Sequence, residues 1–78
     1  MVKTLGQMRP GEIGTVLAVN GKGQVHRRLI DMGVVPGVSV EVKKFAPLGD
    51  PIEIKIRGYH LLVRKNEAEM IKLELQNS

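Results

Sequence analysis

Val38-Ser39-Val40-Glu41-Val42-Lys43 and Ile52-Glu53-Ile54-Lys55-Ile56-Arg57 decide the fold. In both stretches β-branched apolar residues alternate with polar ones. A strand places every second side chain on one face, whereas a helix scatters that pattern around its axis. The two runs therefore predict neighbouring strands of a half-buried antiparallel sheet, with valines and isoleucines turned inward. Between them, Phe45-Ala46-Pro47-Leu48-Gly49-Asp50-Pro51 holds two prolines and one glycine and reads as a loop.

Upstream, Pro36-Gly37 stands just before the first run, and Pro10-Gly11 stands before a β-like run over 12–19. Each dipeptide suits a type II turn, with proline at the first central position and glycine accepting positive φ at the second. The echo reads as two strand entries sharing one turn chemistry. Gly14 inside the first run marks a bend or bulge. Between these strands the period changes: Val25, Leu29 and Met32 fall at i, i+4 and i+7, and Ile30 widens the stripe. This predicts a helix over about 23–32, with Arg27 and Asp31 spaced to pair on its exposed side and Gly33 as the left-handed residue that ends it.

Downstream, Gly58 turns the chain into a strand over 59–64. Asn66 and Glu69 have the spacing of a capping box, which predicts one helical turn. Residues 70–75 alternate again as a last strand. The expected fold is mainly β: a small SH3-like antiparallel barrel of about five strands, with one short helix inserted after the first long strand. Closure is expected because it removes exposed strand edges. The whole of 1–78 reads as a single domain.

Composition narrows the function. A chain of 78 residues buries only roughly 60% of its unfolded surface, which leaves little room for a deep catalytic cleft. Hydrophobic residues make up 42% and charged residues 26%, so disorder is not expected. The absence of cysteine excludes disulfides and thiolate metal sites. The net charge of +4 suits an anionic partner, but one Phe, one Tyr and no Trp count against stacking on nucleic-acid bases. The amino end lacks the apolar run of a signal peptide, and no stretch reaches the ~18 apolar residues of a membrane span. The expected location is the cytoplasm, without membrane insertion.

No catalytic set is visible. Ser39 and Ser78 are the only serines, neither in a nucleophile elbow, and His26 and His60 have no nucleophile beside them. The expectation is a protein that is not an enzyme and has no resident cofactor. His26, Asp31 and His60 are weak candidates for a divalent metal, without a ligand motif. Gly21-Lys22-Gly23 before the helix lacks the Walker pattern and reads as a loop. Basic residues recur at Arg27, Arg28, Lys43, Lys44, Lys55, Arg57, Arg64 and Lys65, but Glu41, Glu53 and Glu74 share the outward parity of neighbouring strands. Phe45 falls on the outward parity of its strand, and Ala46, Pro47 and Leu48 continue an apolar stretch. Two readings stand side by side: a partner-binding patch, or side chains folding back to plug the barrel.

In order, the chain carries Pro10-Gly11-Glu12, Arg27-Arg28-Leu29-Ile30-Asp31-Met32-Gly33, Pro36-Gly37, Ala46-Pro47-Leu48-Gly49-Asp50-Pro51, Arg57-Gly58 and Leu62-Val63-Arg64-Lys65. Together these resemble FeoA, a family of small proteins of the bacterial ferrous iron transport system, over nearly the whole chain. The resemblance implies an SH3-like barrel that assists FeoB, a membrane protein with a GTP-binding domain that moves Fe(II) inward. The same module stands at the carboxyl end of repressors resembling DtxR, but this chain has no helix-turn-helix portion. The expected function is a non-enzymatic accessory protein that docks on a FeoB-like transporter through Phe45, Pro47 and Leu48 with Arg27 and Arg28. The alternatives are a basic barrel binding nucleic acid and a weak divalent transition-metal module. Arg28 and Asp31 have a competing structural reading, in which they pin the helix to the barrel.

Overall fold

The computed structural model describes residues 1–76. Six antiparallel strands form one sheet: β1 (Val2–Thr4), β2 (Ile13–Val19), β3 (Ser39–Phe45), β4 (Ile52–Ile56), β5 (Tyr59–Val63) and β6 (Ile71–Leu75). Their spatial order is β1-β6-β2-β3-β4-β5. Helix α1 (Gln24–Asp31) joins β2 to β3, and the single turn α2 (Lys65–Ala68) joins β5 to β6. A 3-10 turn, Leu5–Gln7, follows β1. The fold is mainly β and SH3-like, as the strand and helix pattern predicts.

The alternating runs behave as their period requires. Val40 pairs with Ile56 and Val42 with Ile54, and all four side chains are buried. Val16, Val63, Ile71 and Leu73 join them from the other strands, and Leu29 of α1 and Leu5 and Met8 of the leader fill the remaining space. At about 1.5–3 kcal/mol for each fully buried aliphatic side chain, this cluster is the main favourable term of the fold.

The two proline-glycine turns form as expected. Glu12 N–H donates to the Arg9 carbonyl and Val38 N–H to the Val35 carbonyl, with Gly11 and Gly37 at positive φ. Gly14 is buried where β2 lies against β6, and a Cβ there would meet the Leu73 Cβ at 3.0 Å. Its lack of a side chain thus serves close strand approach, while the β2–β6 register shift falls further on, between Val16 and Ala18.

Four details differ from the expectation. The strands number six rather than five, because Val2–Thr4 pairs with β6; three residues are too few to show a period. The ladder is open, with β1 and β5 at its ends, and side chains of the leader, α1 and α2 cap the interior in place of strand closure. The capping turn begins two residues early: Arg64 N–H donates to Glu67 Oε1 at 2.9 Å, whereas Asn66 and Glu69 are exposed. Arg27 and Asp31 form no ion pair among the described residues, and the neighbouring Arg28 takes a partner instead.

Helix α1 ends as its sequence predicts. Val34 N–H donates to the Leu29 carbonyl at 3.0 Å and Gly33 N–H to the Ile30 carbonyl at 2.9 Å, the paired bonds of a Schellman motif. Gly33 has φ +94°, and a Cβ there would come within 3.0 Å of the Tyr59 hydroxyl, which donates to the Met32 carbonyl. Gly33→Val should therefore destabilise the chain by about 1–2 kcal/mol. A chemical denaturation midpoint unchanged from the parent would remove this account of the helix end.

Candidate functional site

The strand register orients the apolar residues of the loop. β3 carries an irregularity between Val42 and Lys44, so that Lys44 pairs with Glu53 and Phe45 with Ile52. The extra residue reverses the parity of Phe45. Its ring is half-buried against the core, and the expectation of an outward Phe45 is overturned. Ala46 N–H donates to the Pro51 carbonyl and Gly49 N–H to the Ala46 carbonyl, which holds Pro47 and Leu48 at the tip of a compact loop. Leu48 is 95% exposed and Pro47 is also exposed.

Beside this loop lies an open cleft of about 470 Å³, lined by Arg28, Asp50, Pro51, Leu62 and Arg64. Its walls come from α1, the loop before β4, and the carboxyl end of β5. Glu67 organises it. This side chain is only 2% exposed, the one buried charged group among the described residues. One carboxylate oxygen accepts the Arg64 N–H, and the other accepts from the Arg28 guanidinium. The pair ties α1 to the turn after β5 and fixes Arg28 over the cleft. On the opposite wall, Asp50 Oδ1 accepts the Lys65 N–H at 3.1 Å. Leu62 is 59% exposed because β5 turns Leu61 and Val63 toward the core.

The remaining predicted residues are dispersed. Arg27 is exposed on α1, and Arg28 is on the cleft wall. His26 is half-buried, and its Nδ1 has no hydrogen-bond partner. Asp31 is exposed, and His60 is bound to Glu53. No group of three or more His, Asp or Glu side chains suited to a metal ion occurs among the described residues. Two lysines of β3 are paired, Lys43 with Glu41 of the same strand and Lys44 with Glu53 of β4. By contrast, Lys55, Arg57, Arg64 and Lys65 around β5 have no carboxylate within ion-pair distance among the described residues.

Two carboxyls titrate low. The bond from His60, at 2.8 Å, holds Glu53 below the usual carboxylate range against a smaller desolvation effect, with Lys44 assisting. The Arg9 N–H, at 2.7 Å, does the same for Glu12 with help from Lys3.

The FeoA domain family matches residues 3–75. The chain belongs to the FeoA domain family. A relative in Porphyromonas gingivalis, an Fe(2+) transport protein A/Fe(2+) transporter FeoB fusion protein, is 32% identical over 74 residues. The match takes in 95% of this chain but only 9% of the fusion protein. The solution structure of FeoA protein from Chlorobium tepidum is 40% identical, with a TM-score of 0.89 over 96% of this chain and 71% of that one. A FeoA-like protein from Clostridium acetobutylicum is 32% identical, with a TM-score of 0.90 over 99% and 90% of the two chains. This FeoA domain contains no helix, among its described residues, long and apolar enough to cross a membrane.

Sequence reasoning selected Arg28 but missed Leu62, Arg64, Asp50, Pro51 and Glu67. One signal was present: in Tyr59-His60-Leu61-Leu62-Val63 two adjacent leucines cannot both face one side of a strand. Glu67 gave none, because arginine is not a capping residue type.

Two outcomes follow. Arg28→Ala leaves a buried carboxylate with the Arg64 N–H as its remaining bond and should cost about 1–3 kcal/mol in thermal or denaturant unfolding. His60→Ala should raise the Glu53 titration midpoint toward the ordinary carboxylate value, followed by its carboxyl carbon-13 shift. A depressed carboxyl favours the fold above its unfolded titration and loses that effect as pH falls through the folded value, so the stabilisation carried by the Glu53 carboxyl fades in acid. An unmoved midpoint would assign the depression to the lysines.

Proposed function

We propose that this FeoA domain is a non-enzymatic accessory protein of Fe(2+) transport that docks on a FeoB-like GTP-binding transporter and modulates it. The fusion relative carries the reading: there a FeoA-like segment and the transporter are one chain. Covalent linkage raises the effective concentration of a weak contact to about the millimolar range. The surface offered is the loop tip Pro47 and Leu48 together with the cleft beside it, where Leu62 is flanked by Arg28 and Arg64. Apolar groups rimmed by guanidinium suit a protein contact, since arginine is favoured at interfaces and Leu48 gains by leaving water. Phe45, half-buried, supports the loop from beneath.

The test is capture of the tagged chain with detergent-solubilised host membranes, with nuclease and at two salt concentrations. The transporter should be retained after nuclease treatment. Leu48→Asp should leave stability within about 0.5 kcal/mol, as a substitution at an exposed tip, and weaken retention. Equal retention by a folded Leu48→Asp variant would exclude the loop tip as contact, and recovery of nucleic acid alone, lost at higher salt, would overturn the adaptor role.

A further inference from the structure

β5 is the last strand of an open ladder. Its pairing with β4 runs from Ile56–Tyr59 to Ile52–Val63, joined by the two-residue turn Arg57-Gly58 in which both residues have positive φ. Residues flanking such a turn exchange both backbone bonds, and the pattern alternates from there. Tyr59, Leu61 and Val63 therefore direct their N–H and C=O groups to β4, and His60 and Leu62 direct theirs to the free edge. No backbone bond beyond the ladder reaches His60 or Leu62 among the described residues. Among the described residues this edge carries no proline, no bulge and no covering strand; what guards it is the positive charge at its two ends.

Charge identifies the occupant. Lys55, Arg57, Arg64 and Lys65 surround the strand without ion-pair partners among the described residues, whereas the carboxylates beside it are already engaged, Glu53 by His60 and Lys44 and Asp50 by the Lys65 N–H. A second copy of this chain fits poorly. In the register that pairs His60 with Leu62 of another copy, Arg57 of each falls opposite Lys65 of the other, and like charges directly opposed are destabilising. A segment bearing carboxylates reverses the sign of that term.

We propose that the free edge of β5 accepts an extended acidic segment of a partner protein as an added strand, bonded through the backbone of His60 and Leu62. The carboxylates of that segment meet Arg57, Arg64 and Lys65, and an apolar side chain beside them covers Leu62 over the cleft. Backbone bonds supply affinity and the alternate side chains supply selection, as in other strand additions. The proposal rests on the adaptor reading, for which it names the surface and the chemistry of the partner's segment.

The test uses isotope-labelled chain and two end-blocked pentapeptides, Glu-Thr-Val-Thr-Glu and Lys-Thr-Val-Thr-Lys, in which the charged residues share one strand face with the central valine. The acidic peptide should slow hydrogen exchange at the His60 and Leu62 amides, and the lysine peptide should not. Leu62→Pro removes an outward donor but no ladder bond, so it should remain folded and lose the peptide. Arg64→Gln with Lys65→Gln leaves the backbone edge intact and should weaken binding by about tenfold, with reduced salt dependence. Absence of protection at His60 and Leu62, equal protection by both peptides, or a concentration-dependent dimer through β5 would overturn the proposal, whatever the membrane capture shows. Protection by the acidic peptide with no transporter captured would support the edge and overturn only the adaptor reading.

Discussion

One constraint shapes the molecule: Val40, Val42, Ile52, Ile54 and Ile56 must all leave water from one face of two adjacent strands. Their period of two fixes the register, because a slip by one residue would exchange the apolar set for charged side chains. Once that face is set, the other elements are recruited to cover it. Leu29 is presented by a helix, Leu5 and Met8 by the leader, and Ile71 and Leu73 by the last strand. The sheet ends at β5, whose outer edge is unpaired.

Glu67 converts packing into a site. A carboxylate removed from water needs partners, and it finds them in the Arg64 N–H and the Arg28 guanidinium. The same bonds that satisfy it hold α1 at the mouth of the cleft. Burial of one charge is thus linked to the position of another at the surface. The Arg28 side chain is half exposed, so it serves the fold through Glu67 and still meets solvent. Arg28 accordingly anchors the helix, the structural reading of its sequence, while part of its side chain stays accessible for the proposed contact.

Much of this was legible in the residues. The alternating runs, the α1 stripe and the turn glycines each rest on local chemistry, and each forms as its pattern requires. What was hidden depends on partners distant in the chain. β1 is a strand only because β6 lies beside it, and Phe45 turns inward only because β3 gains one residue on β4. Glu67 is a buried partner of Arg28, 39 positions away, and no spacing rule reaches that far. The family resemblance was legible through the ordered turn and helix motifs, whereas the cleft arises from elements that meet only in three dimensions.

The position of β6 has a consequence for how the chain acquires its structure. It is the last strand in sequence, yet it lies inside the sheet between β1 and β2. Val2 pairs with Glu74, so β1 waits for a strand about 70 positions further along. The β3-β4-β5 meander is built from local contacts and can assemble first, whereas pairings of high sequence separation close late and slowly. During synthesis β1 and one side of β2 therefore stay without partners until residues 71–75 have emerged. The sheet is completed by its last strand in sequence, which enters between β1 and β2 and joins them.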